Sequence, residues 1–244
     1  MKQNIYDDPS FFAGYSKLKR STDGLAGAPE WPLFRSMLPD LAGARVLDLG
    51  CGFGALCRYL AEAGAKHVIG IDLSEKMLAT AAERTSDPRI EYRRGAIEDL
   101  GFAAGSFDLV VSSLALHYVE RFDRIAASVR DVLVPGGAFC ISVEHPMFTA
   151  RESQTWHLDE SGRRLHWPVD DYRKEGIRHA RWIADDVVKY HRSVETYVNT
   201  LIDAGFAITR LYEPVPSDAD VEVRPELADD RRRPMFMMLG AIRR

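Results

Sequence analysis

The segment Val46-Leu47-Asp48-Leu49-Gly50-Cys51-Gly52-Phe53-Gly54 constrains the fold more than any other stretch of the chain. An apolar run followed by alternating glycines reads as a buried strand turning sharply into a helix, because glycine adopts positive φ without strain and lets the backbone approach a ligand. A helix starting there leaves N–H groups unpaired at its N-terminus, which suits an anionic group. Asp48 narrows the choice of ligand. It would set a negative charge beside a pyrophosphate, which is unfavourable in a partly dry cleft, whereas an ammonium would be attracted. The spacing Gly50-x-Gly52-x-x-Ala55 also fits the permissive dinucleotide fingerprint, so an NAD-dependent oxidoreductase stands as the alternative enzyme.

Downstream the chain alternates between strand and helix patterns. Strands are expected at 44–49, 67–71, 90–93, 107–112 and 138–143, with helices at 55–63, 75–84 and 122–134 and a turn at Pro135-Gly136-Gly137. Such alternation implies an α/β fold, a doubly wound parallel sheet with helices on both faces. Before it, Asp8 caps a helix with Pro9 in its first turn and Phe11, Phe12, Tyr15 and Leu18 at helical spacing, and a short helix covers 30–38. Residues 1–40 thus read as an N-terminal helical lid. Residues 144–191 break the alternation with a polar stretch holding Trp156, Trp167 and Trp182, and form a substrate-cap insertion with one hairpin turning near Gly162. Regularity returns with a helix at 194–204 and strands at 206–212 and 235–241.

The 244 residues, 46% of them hydrophobic, suffice for one core, and a single domain spanning 1–244 is expected. With 32 basic and 36 acidic residues the net charge is −4, so no global field holds a polyanion, and neither nucleic acid nor an RNA-modifying role is expected. Arg231–Arg233 and Arg243–Arg244 read as solvated faces. Three cysteines cannot all pair, and Cys51 and Cys57 are awkwardly placed for a cross-link, which points to a reducing cytoplasm. The start, MKQNIYDDPS, has no apolar core, and no stretch approaches the ~20 apolar residues of a membrane span, so no membrane association is expected.

A second acid, Asp72, follows the strand at 67–71, where a carboxylate can accept hydrogen bonds from both hydroxyls of a ribose. Ser74 is available to cap the next helix, which frees Asp72 for that task. S-Adenosylmethionine carries an ammonium, a carboxylate and a ribose, and so matches Asp48, the glycine turn and Asp72 together.

The motifs VLDLGCGFG, VIGIDLSEKML, RGAIEDL, FDLVVSSLALHYV and VLVPGGAFCIS resemble, in order, those of the class I S-adenosylmethionine-dependent methyltransferases, in the small-molecule branch that includes ubiquinone and menaquinone biosynthesis enzymes. The resemblance implies a Rossmann-like, seven-stranded, mostly parallel sheet with the insertion after the fifth strand. It also implies that Gly50, Gly52, Phe53 and Gly54 line the methionine end of the cofactor and that Asp72 holds its ribose. Leu73 and Met77 would cover the adenine, with Ala96 and Ile97 along its edge, while Ser113 and Leu114 would close the floor near the sulfonium.

The acceptor is expected to be a small molecule, since Ser112-Ser113-Leu114-Ala115 lacks the Asn/Asp-Pro-Pro-aromatic signature of enzymes that methylate base amines or glutamine amides. For a hydroxyl or acidic carbon, His117 and His145 are the catalytic candidates because imidazole titrates near neutrality, with Glu144 a third choice. The histidines of the insertion match no compact metal-ligand spacing, and no metal is expected. The N-terminal helix is expected to close over the cofactor with Tyr15 nearest. A homodimer and a non-catalytic S-adenosylmethionine-binding module are left open by the sequence.

Overall fold

The structure, a computed structural model, describes residues 3–244; of the N-terminal lid, Met1 and Lys2 lie outside the described residues. The chain opens with α1 (Pro9–Tyr15), started by the Asp8 carboxylate, which accepts from the amides of Ser10 and Phe11. Two short helices, α2 (Lys19–Thr22) and α3 (Trp31–Ser36), complete the N-terminal region. The core then runs β1 (Arg45–Leu49), α4 (Ala55–Glu62), β2 (His67–Asp72), α5 (Glu75–Glu83), β3 (Ile90–Arg94), β4 (Phe107–Ser113), α6 (Phe122–Val132) and β5 (Leu133–Glu144). After the insertion, made of α7 (Pro146–Thr149), β6 (His157–Leu158), β7 (Arg164–His166), β8 (Gly176–Trp182) and β9 (Ala184–His191), come α8 (Val194–Asp203), β10 (Phe206–Tyr212), α9 (Asp218–Val223) and β11 (Phe236–Arg243).

The seven-stranded sheet has the order β10-β11-β5-β4-β1-β2-β3. Strands β1 to β5 pair in parallel, and β11 and β10 add antiparallel pairs at one edge. Alternate residues of each buried strand enter opposite layers. Leu47, Leu49, Val110 and Ile141 pack with α6 and α8, while Val46, Val68, Leu109 and Cys140 pack with α3 and α4. Chain order reverses between β1 and β4, so the carboxyl ends of those strands open a crevice of the kind where such sheets bind ligands.

Three expectations are corrected. Pro135-Gly136-Gly137 lies inside β5 rather than ahead of it: α6 stops at Val132, Leu133 already pairs with Phe107, and the register shifts before Leu109 meets Ala138. The stretch read as irregular contains a second hairpin, β8–β9, turning through Ile183 at φ +62°. Its buried positions include Arg178, Lys189 and His191, so no apolar alternation marks it. Arg178 is satisfied by the carbonyls of Ala150, Ile177 and Lys174, and the His191 ring by Thr149 and the Tyr172 carbonyl.

The arginine run near the C-terminus is the third. Arg233 is buried, with its guanidinium 4.4 Å from the Trp167 ring centroid and 4.7 Å from that of Phe148, and it pairs with Asp230 at 3.1 Å. Arg232 lies 4.4 Å from the Trp156 centroid. The run therefore clamps the β6–β7 hairpin, whose turn does fall at Gly162 (φ +83°). Arg233→Ala removes these contacts and strands Asp230, and is expected to lower the unfolding free energy by about 1–3 kcal/mol in urea titrations.

Candidate active site

The glycine turn departs from the sequence expectation in one respect. Gly50, Gly52 and Gly54 have φ of +78°, +51° and +70°, as the turn requires. Four of its amides, however, are already engaged. Those of Gly50 and Cys51 donate to the Ile71 carbonyl at 2.9 and 3.0 Å, that of Gly52 to Asp72 Oδ2 at 2.9 Å, and that of Gly54 to the Cys51 carbonyl at 2.9 Å. The turn is tightened onto β2, and a Cβ at Gly50 would stand 2.4 Å from Cβ of Ala115 in the loop after β4.

A recess of about 100 Å³ beside the turn is lined by Asp48, Gly50, Gly52, Phe53, Tyr15 and Arg20 among others. Arg20, from the N-terminal region, is the cation that sequence reading missed. It lies 30 residues before Gly50 with no motif around it, and it pairs with the buried Glu30 at 2.6 Å. Asp48 is buried and accepts from the Cys57 thiol at 3.3 Å. Burial, with a smaller push from Asp72, moves its carboxyl up to about 7 despite that hydrogen bond.

A larger cavity of about 700 Å³ shares Tyr15, Arg20, Gly50, Gly52 and Ser113 with this recess. Its other walls bring together Asp72, Leu73, Met77, Ala96, Ile97 and Leu114, all anticipated from sequence. Asp72 accepts from the amides of Gly52 and Ser74, both at 2.9 Å, and burial raises its pKa against those bonds. Ser74, not Asp72, caps α5, its hydroxyl accepting from the Met77 amide at 3.1 Å. Leu114 is held at φ +56° by its amide donating to the Ser142 carbonyl at 2.9 Å.

Two predicted residues fall elsewhere. Gly54 lines neither space; a Cβ there would stand 2.1 Å from the Tyr92 hydroxyl, so its smallness serves packing. His145 is also outside the cavity lining: its Nδ1 accepts from the Met147 amide at 2.9 Å as the cap of α7, and its Nε2 faces Glu213 Oε1 at 2.6 Å. His117 does line the cavity. Burial, then the positive charges of Lys189, Arg192 and Arg20, hold its pKa well below the usual value, and Nδ1 accepts from the Glu144 amide at 3.4 Å. It is a neutral imidazole with the proton on Nε2.

The far end of the cavity is lined by the insertion and the N-terminal segment. Trp182, Lys189 and Tyr190 come from the β8–β9 hairpin, and Trp182 meets Phe11 and Tyr15 edge-on with centroids 5.6 and 6.1 Å apart. Trp156 and Trp167 are outside the lining, engaged with the arginine clamp. The N-terminal segment spans both halves. Asp7 accepts from Ser74 Oγ at 2.5 Å and from the amides of Lys76 and Glu75 at 3.1 and 3.3 Å, while the Gln3 side chain donates to the Asp186 carbonyl at 2.8 Å and accepts from the Val188 amide at 2.9 Å. Among the described residues there is no cluster of three or more metal-ligating side chains, and no helix is long and apolar enough to cross a membrane.

A seven-stranded sheet of this order, with Asp48 near the end of β1 and Asp72 at the end of β2 around a glycine turn beside a large cavity, defines a nucleoside-cofactor enzyme class. A methyltransferase-domain family matches residues 47–141, from β1 into β5. A crystal structure of an S-adenosylmethionine-dependent methyltransferase from Mesorhizobium loti is 50% identical, with a TM-score of 0.85 and coverage of 90% of this chain and 100% of its own. A protein of Haemophilus influenzae is 34% identical over 98% of this chain and 97% of its own. The ubiquinone biosynthesis O-methyltransferase of Aromatoleum aromaticum is 39% identical over 45% of this chain, which spans about half (48%) of that enzyme's length. The chain belongs to the S-adenosylmethionine-dependent methyltransferases.

The Asp7 contacts yield a direct test. Asp7→Ala removes an acceptor from the first turn of α5 and is expected to cost about 0.5–2 kcal/mol of stability, measured by urea unfolding.

Proposed function

We propose that the protein transfers the methyl group of S-adenosylmethionine to a small-molecule acceptor lodged at the insertion end of the same cavity, within a single domain carrying a lid and a cap. One observation carries this reading: a continuous space of about 700 Å³ has Asp72, Leu73 and Met77 at one end and the β8–β9 hairpin with the N-terminal segment at the other. That volume falls within the range of small-molecule sites.

The residues present suit the cofactor. Asp72 would accept from the ribose hydroxyls, and Leu73, Met77, Ala96 and Ile97 would enclose the adenine. Asp48 would meet the ammonium, while Arg20, rather than the engaged turn amides, would meet the carboxylate; Tyr15 and Phe53 wall that recess. Ser113 and Leu114 would floor the reacting end. When bound, the cofactor supplies a methyl group on a positively charged sulfur. The chain's part is to hold two reactants in line and dry, which can account for up to ~7–11 kcal/mol of barrier reduction. His117, neutral and buried, serves as a hydrogen-bond donor through Nε2 rather than as a base.

The reading is tested by calorimetry with S-adenosylhomocysteine and by a methyl-transfer screen across hydroxyls, amines, thiols and carbon acids; no binding of S-adenosylhomocysteine would sink it. Asp72→Ala is expected to weaken that binding by about 1.5–3 kcal/mol through lost charge-assisted hydrogen bonds. Asp48 predicts a pH dependence. With its carboxyl near 7 in the free protein, binding an ammonium expels a proton, so affinity should rise from pH 5 to about 7 and then level, and Asp48→Asn should flatten the rise. The ligand-free protein is expected to show the linked trend in urea unfolding across pH: a carboxyl raised from about 3.9 in the unfolded chain contributes stability below pH ~4 that is lost as pH climbs toward 7.

A further inference from the structure

The insertion end of the cavity contains an ion pair that the cofactor roles leave unused. Lys189 Nζ lies 2.6 Å from Glu144 Oε1, and the lysine side chain is 1% exposed. Nζ also stands 5.3 Å from the Trp182 ring centroid. Glu144 ends β5, two residues past Ser142, which is paired with Ser113 at the end of β4. At strand rise, that register sets Glu144 about 7 Å beyond Ser142, just past the floor formed by Ser113 and Leu114. Both members of the pair line the cavity.

The pair is incompletely satisfied. Glu144 Oε2 is buried with no hydrogen-bond partner among the described residues. A carboxylate oxygen in that state is costly until a donor reaches it. His117 does not supply one: its Nδ1 accepts from the Glu144 backbone amide, and its Nε2 makes no hydrogen bond to the carboxylate.

Charge decides which donor fits. A protonated amine beside Oε2 would stand against the Lys189 ammonium in a place where like charges are poorly screened. An acidic hydroxyl meets no such conflict: the carboxylate accepts its hydrogen bond and the ammonium favours the negative charge that develops on its oxygen. The neighbouring walls, Tyr6, Tyr118, Phe148 and Trp182, suit a flat ring or conjugated system.

We propose that Glu144 and Lys189 form the acceptor seat and that the acceptor is an acidic hydroxyl, a phenol or enol, whose proton Glu144 takes. This rests on the methyltransferase reading above. The O–H bond breaks with its proton going to Glu144 and its electron pair staying on oxygen. A C–O bond to the methyl carbon forms as the C–S bond breaks, and that electron pair returns to sulfur, discharging the sulfonium.

Calorimetry with S-adenosylhomocysteine on the wild type, Glu144→Gln and Lys189→Met comes first. Failure of the wild type to bind sinks the methyltransferase reading; binding within about threefold across the set shows the variants folded. The loaded wild type is then titrated with 4-nitrophenol, followed by the absorbance of its anion. The bound dye is expected to be ionised, with the anion binding at least tenfold more weakly to Lys189→Met. Turnover of 4-methylphenol should fall at least 100-fold in Glu144→Gln, while that of the more acidic 4-nitrophenol should fall less than tenfold, a contrast that a merely structural role would not produce. Equal losses on both phenols, an uncharged bound dye, turnover of phenethylamine alone, or no phenol bound by protein that binds S-adenosylhomocysteine would each overturn the proposal. Glu144→Gln carries the test by itself should Lys189→Met fail to fold.

Discussion

The Asp72 carboxylate joins three pieces of backbone that would otherwise meet only at their ends. Oδ2 takes the amide of Gly52 in the turn after β1, and Oδ1 takes that of Ser74 at the start of α5. A buried carboxylate is stable only with such donors, and these are main-chain groups fixed by the parallel pairing of β1 with β2. The same residue faces the cavity. Sheet register, turn shape and one wall of the site are therefore set together, and the glycine turn is held against β2 instead of being left open to solvent.

This coupling explains why the cofactor half of the molecule was legible in sequence. Strand-ending acids, glycines at positive φ and a serine cap are local signals, and each has a local physical cause. Gly54 shows the limit of that reasoning, since its neighbour Tyr92 comes from β3 and no spacing rule reports a contact over that distance. Arg20 was missed for the same reason: its role depends on where the N-terminal region docks.

The insertion was less legible because its interior is polar. Arg178, Lys189 and His191 occupy the inward positions of the β8–β9 hairpin, so apolar alternation, the signal that betrays a half-buried strand, is absent. Arg233 misled in the opposite direction. A run of arginines ordinarily faces water, but here aromatic rings from the insertion surround one of them and Asp230 balances its charge. His145, an imidazole at the end of a core strand, turned out to begin a helix.

The stretch from Gln3 to Asp7 is fastened to two separate elements of the molecule. Its ends are held by five hydrogen bonds, three to Asp7 and two to Gln3, and between them Tyr6 packs edge-on against Phe11, Tyr15 and Tyr118. At a net worth of about 0.5–1.5 kcal/mol each, the hydrogen bonds together contribute about 2.5–7.5 kcal/mol, and burial of the Tyr6 ring adds to them. Displacing this stretch of the cavity wall therefore breaks contacts with α5 and with β9 together.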